Sequence, residues 1–148
     1  MESHSVQVHD RFFKPYITEK EIQRQVERLA QEMNRDLAGK DPIFLGILNG
    51  AFMFASDLIK QLVFPCQISF LKLASYSGTK STGSVKQLIG INLDLKDRLV
   101  VVLEDIVDTG LTLSYLYHTL KGRNPASLKT CVLSIKNKNT LELPIEYL

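Results

Sequence analysis

The sequence predicts an α/β domain in which a mostly parallel central sheet is flanked by helices and preceded by an N-terminal amphipathic helix. Three observations predict it. The runs at residues 43–48 and 99–103 are apolar, which suits strands buried on both faces, as parallel strands are. A helical pattern follows each run and a further strand pattern follows each helix, the order of strand–helix–strand units. Turn residues, Gly39-Lys40-Asp41-Pro42 and Asn124-Pro125, mark breaks between elements.

The first helix is expected over residues 18–37. Thr18 with Glu21 three residues later makes a capping box. Ile22, Val26, Leu29, Ala30, Met33 and Leu37 then form one apolar stripe, opposite Lys20, Arg24, Glu27, Arg28 and Gln31. This helix is structural and carries no chemistry. The strand at 43–48 ends on Asn49-Gly50, and a helical pattern runs from 51 to about 62, stopping before Pro65. Residues 66–74 read as a strand, and 75–86 as a polar run rich in Gly, Ser and Thr. A strand at 99–103, a helix at 112–121 and strands at 127–135 and 145–148 complete the chain. With no repeat or linker in its 148 residues, the chain reads as one domain. In open α/β sheets ligands bind beyond the carboxyl ends of the strands. Asn49-Gly50, residues 104–110 and Lys136 are therefore expected along one edge.

Composition narrows the function classes. The apolar fraction of 45% and charged fraction of 23% are those of an ordinary globular protein. No apolar run approaches the roughly 20 residues of a membrane span. The opening residues lack the basic start and apolar stretch of a secretory signal, so no membrane partner is expected. Cys66 and Cys131 sit apart in apolar segments without metal-ligand spacing, which predicts free thiols in a reducing cytoplasm. A net charge of +2, with Lys and Arg scattered among acids, gives no basis for a nucleic-acid partner.

The chemistry concentrates after residue 99. An apolar strand delivers Glu104 and Asp105, two carboxylates that repel each other and lose solvation beside a core. A cation, basic groups or hydroxyl donors must compensate. Asp108-Thr109-Gly110-Leu111-Thr112 follows where the next helix begins. A helix start offers unpaired amides and the positive dipole end, Gly110 permits close approach, and Thr109 and Thr112 add hydroxyls, which together suit a phosphate. The loop therefore has two jobs: Glu104 and Asp105 take sugar hydroxyls or a hydrated Mg²⁺, and the turn takes a phosphate. The plainer alternative is that Asp108 or Thr109 only caps the helix. Other phosphate motifs fail. Gly78 to Gly83 has P-loop glycine spacing, but Ser84-Val85 replaces the required Lys-Ser/Thr, and no G-x-G-x-x-G follows a strand. A phosphatase of the Asp-x-Asp type wants one residue between its acids, and Asp105 and Asp108 have two.

The string Val100-Val101-Val102-Leu103-Glu104-Asp105-Ile106-Val107-Asp108-Thr109-Gly110-Leu111-Thr112 closely resembles the phosphoribosyl pyrophosphate motif of type I phosphoribosyltransferases, in the form of the hypoxanthine-guanine branch. Leu48-Asn49-Gly50-Ala51 is similar to that family's pyrophosphate loop, although many members carry Lys at the Asn49 position. Ser75-Tyr76 and the polar run after it resemble its mobile lid loop. Leu133-Ser134-Ile135-Lys136 resembles the strand whose terminal lysine recognises the purine.

The resemblance implies the type I phosphoribosyltransferase fold and a purine-salvage reaction. Hypoxanthine or guanine and phosphoribosyl pyrophosphate would give IMP or GMP and pyrophosphate, with Mg²⁺ as cofactor. It implies ribose contacts or metal ligation by Glu104 and Asp105, 5′-phosphate binding over Asp108, Thr109, Gly110, Leu111 and Thr112, and acid–base catalysis at purine N7 by Asp108. It further implies pyrophosphate binding at Asn49-Gly50 and a Lys136 donor to the 6-oxo group. Family members continue past the point matching Leu148 with a purine-stacking aromatic and a further aspartate, so residues 1–148 are expected to be one domain lacking that C-terminal segment. Apolar helices flanking a small sheet make a homodimer or homotetramer the expected assembly. Two alternatives stay open: a regulator that senses phosphoribosyl pyrophosphate or binds RNA, and a transferase for xanthine or a pyrimidine.

Overall fold

The computed structural model describes residues 5–75, 85–136 and 141–148. After a short antiparallel hairpin, β1 (Val6–Val8) and β2 (Arg11–Phe13), the long helix α1 spans Glu19–Leu37. Its start is the capping box read from the sequence, with Thr18 accepting from the Glu21 amide and the Glu21 carboxylate accepting from the Thr18 amide. Then come β3 (Ile43–Leu48), α2 (Phe52–Ile59), β4 (Gln67–Ser75), β5 (Val85–Ile89), β6 (Leu99–Val107), α3 (Leu111–Lys121) and β7 (Ser127–Ile135).

The five main strands form one sheet in the order β5-β4-β3-β6-β7. Strands β4, β3, β6 and β7 run parallel to one another, and β5 pairs antiparallel to β4 at the edge. Because side chains alternate across a strand, each central strand feeds two cores. Phe44, Val101, Leu103 and Cys131 face the core shared with α1 and α2. Ile43, Leu45, Val100, Val102 and Val132 face the core shared with α3. Burial on both faces is the physical reason these strands read as unbroken apolar runs.

Three elements differ from the sequence reading. Strand β6 does not stop at Leu103 but continues to Val107, with Glu104 opposite Val132 and Ile106 opposite Ser134 on β7. Backbone pairing carries the strand through the acids that end its apolar run. Helix α2 ends at Ile59, where Gln61 and Leu62 close turns onto Leu58 and Ile59. The expected final strand is one isolated parallel bridge between Tyr147 and Cys131, within a segment that docks beside β7. The hairpin β1–β2 and strand β5 are additions to it. Cys66 and Cys131 are free thiols, the latter buried. Among the described residues no helix is long and apolar enough to cross a membrane.

Candidate active site

Parallel pairing sends the carboxyl ends of β3, β6 and β7, three adjacent strands, to one edge of the sheet. The loops that follow them carry the residues singled out by sequence, and the structure brings them together. After β3, the peptide bond between Leu48 and Asn49 is cis, and the chain turns so that the Ala51 amide donates to the Ile47 carbonyl at 3.0 Å. Gly50 then lies against the acid pair: a Cβ built on it would sit 2.7 Å from one Asp105 carboxylate oxygen and 2.8 Å from the other. Real Cβ atoms do not approach oxygen so closely, so only glycine allows this juxtaposition.

Glu104 and Asp105 are both half-buried. The Asp105 amide donates to Oε1 of Glu104 at 3.1 Å, which fixes the Glu104 carboxyl beside its neighbour. Burial first, and then the Asp105 carboxyl, push the Glu104 pKa up to about 8. Among the described residues no basic side chain provides the compensation anticipated from sequence. Among the described residues no three potential ligands converge into a closed metal cage.

The turn after β6 is built as the sequence suggests, with one correction to its plainer alternative. Gly110 occupies the N-cap of α3 in the left-handed region, at φ +82°, and no side chain caps the helix. Thr109 Oγ1 accepts only a long 3.4 Å bond from the Leu111 amide. Asp108 points elsewhere: its Oδ2 accepts from Lys136 Nζ at 3.3 Å, and both side chains are exposed. Capping therefore does not account for Asp108, and the helix start keeps its positive end open. A cleft of about 170 Å³ lies over the turn, lined by Glu104, Asp108, Thr109, Gly110 and Thr112 among others. Leu111 is exposed at the rim and does not line that cleft.

Lys136 follows β7, and its amide donates to the Val107 carbonyl at 3.0 Å, which ties the ends of β6 and β7 together. This bond places the lysine beside Asp108. Of the expected lid residues, Ser75 ends β4, and Tyr76 lies outside the described residues.

The sequence reading missed Ile106. Lying within β6 between Asp105 and Val107, it is 53% exposed and lines three clefts at this edge. Two of these are mainly apolar, with volumes of about 500 and 210 Å³, and are shared with Ile22 and Leu133. The available signal is an aliphatic pair, Ile106-Val107, set between Asp105 and Asp108, but which of the two is exposed depends on neighbours that sequence does not reveal.

The phosphoribosyl transferase domain family matches residues 16–147. The chain is 40% identical over 129 residues to the hypoxanthine-guanine-xanthine phosphoribosyltransferase of Tritrichomonas foetus, covering 86% of this chain and 70% of that one. It is 36% identical over 137 residues to the hypoxanthine-guanine phosphoribosyltransferase of Dictyostelium discoideum, covering 88% and 76%. A crystal structure of a hypoxanthine-guanine phosphoribosyltransferase from Bacillus anthracis superposes with a TM-score of 0.80 at 36% identity, over 88% of this chain and 78% of that one. The motif, the parallel sheet with its loops at one edge, and these likenesses agree, and the chain belongs to the phosphoribosyltransferase family, in its hypoxanthine-guanine branch.

Proposed function

We propose that the chain is a purine-salvage enzyme that transfers the phosphoribosyl group of phosphoribosyl pyrophosphate to hypoxanthine or guanine, giving IMP or GMP and pyrophosphate. The observation that carries this is the convergence of Asn49-Gly50, the stretch from Glu104 to Thr112, and Lys136 at the adjacent ends of β3, β6 and β7. The 5′-phosphate sits on the uncapped start of α3, where amides and the Thr109 and Thr112 hydroxyls donate to it. The pyrophosphate lies at Asn49-Gly50, against Asp105.

The acid pair fits Mg²⁺. That ion takes one or two carboxylates, keeps several waters and completes its shell with substrate oxygens, so two acids with no third ligand among the described residues suit it. Glu104 and Asp105 would hold it, or hold the ribose hydroxyls through its waters. When bound it supplies positive charge opposite the departing pyrophosphate. The residues of the chain then act mainly by positioning a loose displacement at the ribosyl carbon.

The 3.3 Å pairing of Asp108 with Lys136 sets an acid–base group and a fixed donor side by side. On a 6-oxopurine the N7 and the 6-oxo group are likewise adjacent. Asp108 exchanges the proton at N7, and Lys136 donates to the oxygen, disfavouring adenine, which presents a donor there. Ile106 offers the apolar surface against which the flat ring lies. The name of the Tritrichomonas foetus relative includes xanthine, which keeps xanthine as a further candidate base. The free thiols Cys66 and Cys131 support a reducing compartment such as the cytoplasm.

The test is IMP formation from hypoxanthine and phosphoribosyl pyrophosphate with Mg²⁺, with guanine, xanthine and uracil in parallel. The Asp108→Asn variant is expected to retain phosphoribosyl pyrophosphate binding and to turn over about 10²-fold more slowly or worse. Turnover of uracil alone would refute the purine assignment, and an unchanged Asp108→Asn rate would remove Asp108 from the chemistry.

A further inference from the structure

Gly110 occupies its left-handed conformation under contact. Its φ is +82° and its ψ is 0°, and no side chain caps the helix it starts. Glycine populates both signs of φ with similar ease, so nothing in the residue itself selects this one. What lies against it is Leu141: a Cβ built on Gly110 would meet Leu141 Cδ1 at 2.7 Å, and the next nearest atoms are at 3.9 Å. The Leu141 methyl therefore fills the space that a side chain at position 110 would need.

Leu141 belongs to a stretch held to β7 through Glu146 and Tyr147. Residues 141–148 run past β7 as a strap. The Glu146 and Tyr147 amides donate to the Thr130 carbonyl, and the Val132 amide donates to the Tyr147 carbonyl at 2.9 Å. Leu141, Leu143 and Ile145 pack against the core on the α3 side of the sheet. A cleft of about 250 Å³ separates the strap from Thr109, Leu111 and Ser114. Leu141 thus reaches the turn at the Gly110 carbon while the rest of the strap stands off from it.

We propose that Leu141 is a positioning residue for phosphoribosyl pyrophosphate, holding Gly110 in the left-handed conformation so that the turn meets the 5′-phosphate already in its binding shape. Leu141 does not line the cleft over the turn where the phosphate is placed. It acts by removing the ordering cost that a free glycine turn would otherwise add to each binding event. This inference rests on the assignment of that turn to the 5′-phosphate.

The test compares Leu141→Ala with Leu143→Ala, which removes a neighbouring strap side chain from the same core, and with Leu141→Met, which restores the bulk. Phosphoribosyl pyrophosphate with Mg²⁺ is titrated calorimetrically, and steady-state constants are taken for both substrates. Leu141→Ala is expected to weaken phosphoribosyl pyrophosphate binding and raise its KM by about 5- to 10-fold, on the scale of a lost pre-organisation term. The KM for the base stays within about twofold of the parent value, Leu141→Met recovers most of the loss, and Leu143→Ala lowers thermal stability without changing KM. Amide hydrogen exchange at Gly110 to Thr112 rises in Leu141→Ala without ligand, a readout independent of activity. Equal KM changes in Leu141→Ala and Leu143→Ala, or unchanged binding and exchange in Leu141→Ala, would overturn the proposal while leaving the reaction assignment standing. A parent protein that does not bind phosphoribosyl pyrophosphate would overturn both.

Discussion

At Glu104 the chain sets a carboxyl on a half-buried strand beside Asp105, and burial and proximity both disfavour its anion, which moves its pKa to about 8. In the unfolded chain the same group titrates in the ordinary carboxylate range. Between those two values the folded state keeps a proton that the unfolded state releases, so the contribution of Glu104 to stability is fullest below the ordinary carboxylate range and is lost as pH rises toward 8. Thermal unfolding of the ligand-free protein from about pH 5 to about pH 8 should show that decline, and Glu104→Gln should flatten it. An identical slope in the variant would mean that other groups set it. The acids were legible in the sequence because like charges at the end of an apolar run are chemically conspicuous. Ile106 and Leu141 were not, since an aliphatic side chain takes its role from what the fold leaves exposed or touching it.

Among the elements, β3 shows how tightly the sheet is fitted beneath the site. Gly46 stands opposite Phe70 of β4, and a Cβ on it would come within 2.7 Å of the Phe70 ring. The ring occupies the volume the glycine leaves. Gly46→Ala is therefore expected to destabilise by about 1–3 kcal/mol through overpacking, measurable by urea denaturation, with Phe70→Leu in the same background relieving part of it. A stability equal to the parent would show that the ring moves aside freely. Helix α1 and strands β3 and β7 were readable because capping chemistry and two-sided burial leave direct marks on sequence. The hairpin β1–β2 was not, because its three-residue strands are exposed throughout and lack a buried face to impose alternation. The end of β6 was misjudged for a related reason: hydropathy tracks burial, whereas the strand is defined by its backbone partners on β7.

For the whole molecule, the terminal strap joins the two halves built on either face of the sheet. Its leucines and Ile145 pack on the α3 side, while Tyr147, only 3% exposed, enters the core formed with α1 and α2. The Tyr147 hydroxyl donates to Asp36 at 3.3 Å, and the Leu148 carbonyl accepts from Arg28, so both residues bind α1. Replacing Tyr147 by Ala should cost about 3–5 kcal/mol, the range for deleting a buried aromatic. Since the strap touches both cores, circular dichroism and tyrosine fluorescence should lose their signals in one shared transition. Two separated transitions would show that the halves are not coupled through it.

The strap also settles the fate of the outer side of β7, the last strand in the sheet. The Thr130 amide is taken by the Glu146 carboxylate at 2.7 Å, and the Thr130 carbonyl and Val132 amide are taken by strap backbone. A strand from another molecule approaching there finds these groups already bonded and a carboxylate in its path. Open sheet margins invite chain-to-chain pairing and, in time, fibrils. Here one short irregular segment occupies the backbone groups at the middle of that margin, which removes them as a template for pairing with another chain.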